Sequence, residues 1–141
     1  MSKETKELLL LDTHIWIWLM NGDKRLESSK SFHLIRKENA HRKILISIIS
    51  VWEVGMLEAK GKIEFPFSCL EWAQRALRAP GVSLVQLTPE IAIESSRLQG
   101  KFHGDPADRI LVATVKSLGA MLITQDENIL SYCKKQNIFT L

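Results

Sequence analysis

The sequence predicts an α/β fold built on a mainly parallel sheet. Short apolar runs recur along the chain, and each is followed by a stretch of helical character. The runs lack polar alternation, which is typical of strands buried on both faces of a parallel sheet. Four acids either follow such a run or lie where a helical stretch begins: Asp12, Glu53, Asp108 and Asp126. Side chains at the ends of parallel strands point into a crevice, so these acids mark one edge of the predicted sheet.

Two strands and three helices are predicted in the first half of the chain. The strands span residues 8–11 and 44–49, the second ending at Ser50, and the helices span residues 13–20, 28–39 and 51–60. Gly22 and Gly61 follow the first and third helices, where glycine is typical. Glu53 is expected on the first turn of the third helix. Basic residues crowd residues 24–43, and we interpret them as the solvated face of an amphipathic helix rather than a nucleic-acid patch.

The second half of the chain continues the alternation. Strands are expected over residues 82–87 and 120–124 with an edge strand at 138–141, and helices over residues 68–78, 89–98, 109–118 and 128–135. Thr88 before Pro89 is a strong helix start, and Asp105 to Asp108 open the helix that follows. Strands that alternate with helices form βαβ units with right-handed crossovers.

Length and composition indicate one domain, residues 1–141. The chain has 141 residues, of which 45% are hydrophobic, enough for a core of its own. A net charge of +3 and a pI near 9.0 permit a polyanionic partner without requiring one. Cys69 and Cys133 have neither a CxxC nor a Cys/His spacing, which indicates packing residues of a reduced cytosolic protein.

No signal peptide or membrane segment is expected. The first seven residues are polar with mixed charge, and the apolar run after them is interrupted by Asp12 and His14. The stretch from residue 8 to residue 20 is also too short and too polar to cross a bilayer. The sequence therefore predicts a cytoplasmic protein without membrane contact.

Each of the four acids alone has an ordinary explanation. Asp12, Asp108 and Asp126 are placed to cap helices, and Glu53 fits an exposed helical position. As a group they are expected near one end of the sheet, and carboxylates a few ångströms apart cannot all ionise cheaply. Either the pKa of one of these carboxyl groups is raised or the site binds a cation. A set of oxygen ligands without His or Cys selects Mg²⁺ or Mn²⁺ over Zn²⁺. This layout is typical of a metal-assisted phosphodiester hydrolase.

Four short motifs carry a resemblance to a known family. In chain order they are LLLLDTH, SVWEVG, GDPADRILVATV and LITQDENI, and they contain Asp12, Glu53, Asp108 and Asp126. In order and spacing they resemble the acidic signature of PIN-domain ribonucleases, above all the VapC-type toxins of bacterial toxin–antitoxin pairs. The resemblance extends over nearly the whole chain.

The resemblance implies a three-layer α/β/α sandwich and a Mg²⁺-dependent endoribonuclease that cuts RNA. It also implies a homodimer and a cognate antitoxin protein that holds the nuclease inactive. By position, Asp12 and Asp108 match the family's principal metal ligands, and Glu53 and Asp126 match the acids that bind directly or through water. Three hydroxyl residues beside these acids are candidates to hold them in place: Thr13, Ser50 and Thr124.

Asp105 and Asp108 compete for one ligand position near the start of the same helix. We assign Asp108, because the RILVATV segment after it aligns with the helix of the family, and we place Asp105 with Pro106 in the turn and cap. Arg109 is placed either to meet a scissile phosphate or to form a surface salt bridge.

Other candidate residues favour packing roles. His14 follows Asp12 inside an apolar stretch, so a core or interface histidine is expected rather than a general base. The tryptophans could stack bases, but their helical spacing and apolar neighbours favour core or dimer packing: Trp16, Trp18, Trp52 and Trp72.

The sequence argues against two other functions and leaves a third as the alternative. An aspartyl phosphotransferase needs a second Asp two residues after the first, and His14 stands there. The absence of GxGxxG and GxxxxGK[ST] removes the common nucleotide-binding readings. The remaining alternative is a catalytically inactive PIN-like module that binds RNA or a protein.

Overall fold

Strands and helices alternate along the chain in a computed structural model that describes residues 8–30, 32, 35, 43–102 and 104–141. The strands in this part are β1 (Leu8–Leu11), β2 (Lys43–Ser47), β3 (Val82–Val85) and β4 (Met121–Ile123). The helices described are α1 (Thr13–Asn21), α2 (Lys24–Glu27), α3 (Ile48–Ala59), α4 (Cys69–Leu77), α5 (Pro89–Ser95), α6 (Pro106–Leu118) and α7 (Glu127–Lys135). Seven of the twelve residues of the predicted helix over 28–39 lie outside the described residues; Phe32 and Ile35 are helical, and residues 28–30 are not. The short α2 before it was not predicted.

The four strands form one parallel sheet in the order β3-β2-β1-β4. The central strand β1 pairs with β2 at Leu9 and Ile44, and with β4 at Leu10 and Leu122. The parallel sheet was predicted and is confirmed. The predicted edge strand at residues 138–141 is reduced to one isolated bridge, between Leu122 and Thr140.

The apolar run of β1 supplies both cores of the molecule. Leu10 faces one cluster, while Leu9 and Leu11 face the other, and all three are fully buried. This alternation is what a strand between two helical layers requires. One cluster contains buried residues of α1, α3 and α4, namely Trp16, Val54 and Trp72. The other contains buried residues of α5, α6 and α7, namely Ile91, Leu111 and Ile129. The three-layer α/β/α sandwich is therefore confirmed.

The second strand ends earlier than predicted. It stops at Ser47 rather than at Ser50, because the Ser47 side chain accepts a hydrogen bond from the Ile49 amide and caps α3. A short β-branched run fits a strand or a helix start equally well, so the pattern alone could not place this boundary. As a result Glu53 is the sixth residue of α3 and lies on its second turn, not on the first.

Smaller differences concern β3 and α4. The third strand ends at Val85 instead of residue 87. Leu70 of α4 is apolar, yet 66% of its surface is exposed. Within the described residues, no helix combines the length and apolar character needed to cross a membrane.

Candidate active site

A parallel sheet with this strand order can bind a ligand in the crevice at the carboxyl ends of β1 and β4. From β1 the chain crosses to β2 on one side, and it later returns as β4 on the other side. Ligands bind to open α/β sheets at such a switch point, outside the carboxyl ends of the strands. Asp12 directly follows β1, and Thr124 directly follows β4.

Asp12 is both a helix cap and a crevice acid. Its Oδ1 accepts a hydrogen bond from the Thr13 amide at 2.7 Å, as the N-cap of α1. Its Oδ2 accepts a hydrogen bond from Thr124 Oγ1 at 2.6 Å, which links the ends of the neighbouring strands β1 and β4. Burial raises the pKa of Asp12 despite these hydrogen bonds, and the charge of Asp126 adds to the effect.

Thr124 links the first and last acids of the set. Its hydroxyl donates to Asp12 and accepts a hydrogen bond from the Asp126 amide at 3.0 Å. Asp126 in turn caps α7, because its Oδ1 accepts from the Ile129 amide at 3.0 Å. The side chain of Thr124 is 2% exposed, so this link is shielded from solvent.

Glu53 of α3 is held by a hydroxyl of α1. Thr13 Oγ1 donates to Glu53 Oε1, and it is also hydrogen-bonded to Ser50 Oγ at 2.8 Å. Thr13 and Ser50 are buried, while Glu53 is partly exposed. Burial raises the pKa of Glu53, and the charges of Asp12 and Asp105 raise it further. The three hydroxyl residues predicted beside the acids therefore all contact them or one another.

Asp108 has the most perturbed carboxyl group of the four. It lies in the first turn of α6, where Asp105 caps the helix by accepting from the Asp108 amide at 2.9 Å. Burial and the charges of Asp105, Asp12, Asp126 and Glu53 raise the pKa of Asp108 to about 7. Asp108 therefore lies within electrostatic range of the other three predicted acids.

The acids are close enough to repel, but they do not form a compact cage. Among the described residues, no three Asp, Glu, His or Cys side chains converge tightly enough to ligate one ion. Mg²⁺ takes only one or two carboxylates directly and keeps several waters. A bound cation would relieve the repulsion between the carboxylates. Their oxygen atoms therefore fit Mg²⁺ or Mn²⁺ bound partly through water.

His14 and Arg109 differ from their predicted positions. His14 is exposed, so the core alternative is wrong and the interface alternative stays a prediction; the residue lines two clefts beside the acids. Arg109 forms no salt bridge with the described residues, and its contact with a phosphate stays a prediction. Its guanidinium donates to the backbone carbonyls of Ser95 and Phe102 at 2.9 and 3.1 Å, so it anchors the loop before α6.

The four tryptophans occupy different environments. Trp16 and Trp72 belong to the core as predicted, with ring centroids 5.0 Å apart. Trp18 is half-buried, and the Arg25 guanidinium lies 4.6 Å from its ring. Trp52 was predicted to pack in the core or a dimer interface; with 55% of its surface exposed it is not a core residue, and dimer packing stays a prediction. The sequence did not predict it as a crevice residue, because adjacent residues of a helix point in different directions.

Comparison with known proteins identifies the family. The PIN domain family matches residues 9–135. Ribonuclease VapC22 of Mycobacterium tuberculosis is 32% identical over 124 residues, which cover 88% of this chain and 91% of that protein.

Solved structures show the same fold. VapBC2 from Rickettsia felis, crystallised with a DNA fragment from its promoter, matches with a TM-score of 0.63 and 13% identity over 95% of this chain and 97% of that one. FitAcB from Neisseria gonorrhoeae matches with a TM-score of 0.62 and 14% identity over 94% and 96% of the two chains. At these identities the structures bear on the fold alone. The chain therefore belongs to the PIN-domain family, as a VapC-type member.

Proposed function

We propose that this protein is a metal-dependent endoribonuclease and the toxin of a type II toxin–antitoxin pair. The observation that carries the proposal is that the charges of the other three site acids, Asp12, Glu53 and Asp126, all raise the pKa of the Asp108 carboxyl. Similarity to a protein named a ribonuclease, over most of both chains, supports the choice of RNA as substrate.

Each acid has a proposed role at the metal site. Asp12 and Asp108 are the principal ligands of Mg²⁺ or Mn²⁺, and Glu53 and Asp126 complete the site directly or through water. The bound cation would lower the pKa of a water and stabilise developing negative charge during phosphodiester hydrolysis. The chain's own hydroxyls keep the carboxylates oriented: Thr124 holds Asp12, and Thr13 holds Glu53.

The proposed partners follow from the proposed activity. A free endoribonuclease would harm the cell that makes it, so a cognate antitoxin that covers the crevice is needed. Solved complexes that share this fold include a toxin–antitoxin complex from Klebsiella pneumoniae, with a TM-score of 0.56. We further propose a homodimer. Co-expression with the neighbouring open reading frame should give a co-purifying complex, and a chain recovered only by itself would count against the toxin role.

A mixed RNA pool tests the activity. The purified protein should cleave the RNA in Mg²⁺. Cleavage should stop in EDTA and resume when excess Mg²⁺ is added. Fragments of unchanged length under all three conditions would favour the alternative, a catalytically inactive module that binds RNA or protein.

Replacing Thr124 by valine tests the support of Asp12. The substitution keeps the side chain's size but removes the hydrogen bonds to Asp12 and from the Asp126 amide. Loss of such a support typically lowers metal affinity or activity by about 10- to 100-fold, and we expect that loss in kcat/KM on RNA. Thr114→Val is the matched control, because Thr114 is equally buried and its hydroxyl bonds only within α6. Equal activity of the two variants would remove Thr124 from the site.

The two acids at the start of α6 should differ when each is replaced by asparagine. Asp105→Asn should keep most of the cleavage rate, since asparagine also caps helices. Asp108→Asn should lose most of it, since the ligand charge is gone. Initial rates of RNA cleavage in Mg²⁺ measure the ranking, and the reverse order would move the ligand role to Asp105.

A further inference from the structure

A cleft adjoins the acids on the side of α3. It has a volume of about 220 Å³ and lies between α3 and the start of α6. We call it the Trp52 cleft, and the residues that matter for its chemistry are Trp52, Glu53, Met56, Leu57, Lys60 and Lys62. Because Glu53 lines it, the cleft adjoins the group of acids at that residue. Its volume is below the roughly 300–1,000 Å³ of drug-sized pockets, so it suits a single ring system.

Trp52 presents an unoccupied aromatic face to this cleft. The side chain is 55% exposed, and within the described ranges no ring stacks on it and no cation covers it. Met56 lies one turn further along α3 on the same side, which extends the apolar wall. An exposed tryptophan with an apolar flank is the usual platform for an unpaired nucleobase.

Two lysines close the far end of the cleft. Lys60 caps the C-terminus of α3 and Lys62 follows it, and both are exposed. The salt bridges found in the described part involve neither lysine. Lys60 comes seven residues after Glu53, about 10 Å along the helix axis. The cleft therefore runs from Glu53, past an aromatic ring, to two exposed lysines.

We propose that the Trp52 cleft binds one unpaired base of an RNA strand, next to the phosphate that lies at the acids. Trp52 stacks on the base, and Lys60 and Lys62 contact the neighbouring phosphates. This proposal rests on the proposed nuclease function, because it places the base beside the site of cleavage. The base that stacks on Trp52 has to be unpaired, since a base inside a helix has no free face to offer.

Binding of a short RNA in EDTA tests the stacking step without cleavage. The probe is a fluorescein-labelled eight-nucleotide single-stranded RNA of random sequence, followed by anisotropy at low salt. Trp52→Ala should weaken binding by about 5- to 150-fold, the range measured for loss of one base-aromatic stack. Trp52→Phe, which keeps a ring, should recover most of the affinity. Leu70→Ala is the matched control, because Leu70 is similarly exposed on α4 and should leave binding unchanged.

An abasic strand of the same length separates stacking from charge. Trp52→Ala should not change its affinity, because the strand has no base to stack. Replacing Lys60 and Lys62 together by alanine should weaken binding of both strands and reduce the slope of log affinity against log salt by about 1.4. Lys134 and Lys135, exposed at the far end of α7, give the control pair and should leave the slope unchanged.

The outcomes distinguish this proposal from the nuclease proposal. If RNA is cut in Mg²⁺ but Trp52→Ala binds the eight-nucleotide RNA as Leu70→Ala does, the nuclease stands and the base site falls. If no RNA is cut but binding depends on Trp52, the base site stands without the nuclease. If Trp52→Ala binds RNA normally but no longer co-purifies with the co-expressed partner, the cleft belongs to a protein and the base site is overturned.

Discussion

Replacing Asp12 by asparagine is expected to lower kcat for RNA cleavage by about 10²- to 10³-fold, the usual cost of removing one group that stabilises charge in a transition state. The variant should fold normally. Asparagine can still accept the Thr13 amide hydrogen bond that caps α1, and the substitution removes a charge whose burial is unfavourable. Single-turnover rates at saturating Mg²⁺ measure the loss independently of product release.

A second helix-capping acid gives the control for that experiment. Asp23 caps α2 by accepting from the Arg25 amide, and it lies outside the crevice. Asp23→Asn should cut RNA at the rate of the unmodified protein. If both variants kept full activity, or if both lost it equally, Asp12 would have no special role in catalysis.

Without a divalent cation, the protein should become less stable as pH rises. The pKa of Asp108 is raised from 3.8 to about 7 in the folded state, and those of Asp12 and Glu53 are raised as well. Between pH 3.8 and about 7 the folded protein therefore holds more protons at Asp108 than the unfolded chain does. The contribution of Asp108 to the free energy of unfolding is fully present below this range and is lost as pH rises through it.

Urea unfolding in EDTA across this pH range measures the effect. Asp108→Asn should show a weaker fall in the free energy of unfolding, and above pH 7 it should be more stable than the unmodified protein. Adding Mg²⁺ above pH 7 should stabilise the unmodified protein, because a ligand that binds only the folded state shifts the equilibrium toward it. Parallel pH profiles for the two proteins, with no response to Mg²⁺, would contradict mutual repulsion at the crevice.

The sheet was predictable because its signals are local. Leu8–Leu11 have no polar alternation and end at an acid, and Thr88-Pro89 is a standard helix start. The end of β2 was placed wrongly because Ile48 and Ile49 fit a strand by propensity, while the Ser47 cap that starts α3 depends on local hydrogen bonding.

The sequence predicted which residues form the candidate site, but not how they are arranged. Capping and membership of the site were treated as alternatives for Asp12 and Asp126, whereas the structure gives each a cap and a position at the crevice. The exposure of Trp52 and His14 could not be read from the chain, since it depends on which side of α3 and α1 the neighbouring elements cover.

The presence of a cation site at the four acids is tested most directly by Mn²⁺ binding, followed by the loss of the free-ion signal in electron paramagnetic resonance. The unmodified protein should remove Mn²⁺ from solution, excess Mg²⁺ should release it, and Asp12→Asn should bind it more weakly. Free Mn²⁺ undiminished by the unmodified protein, or equal binding by Asp12→Asn, would contradict a metal site at Asp12, Glu53, Asp108 and Asp126.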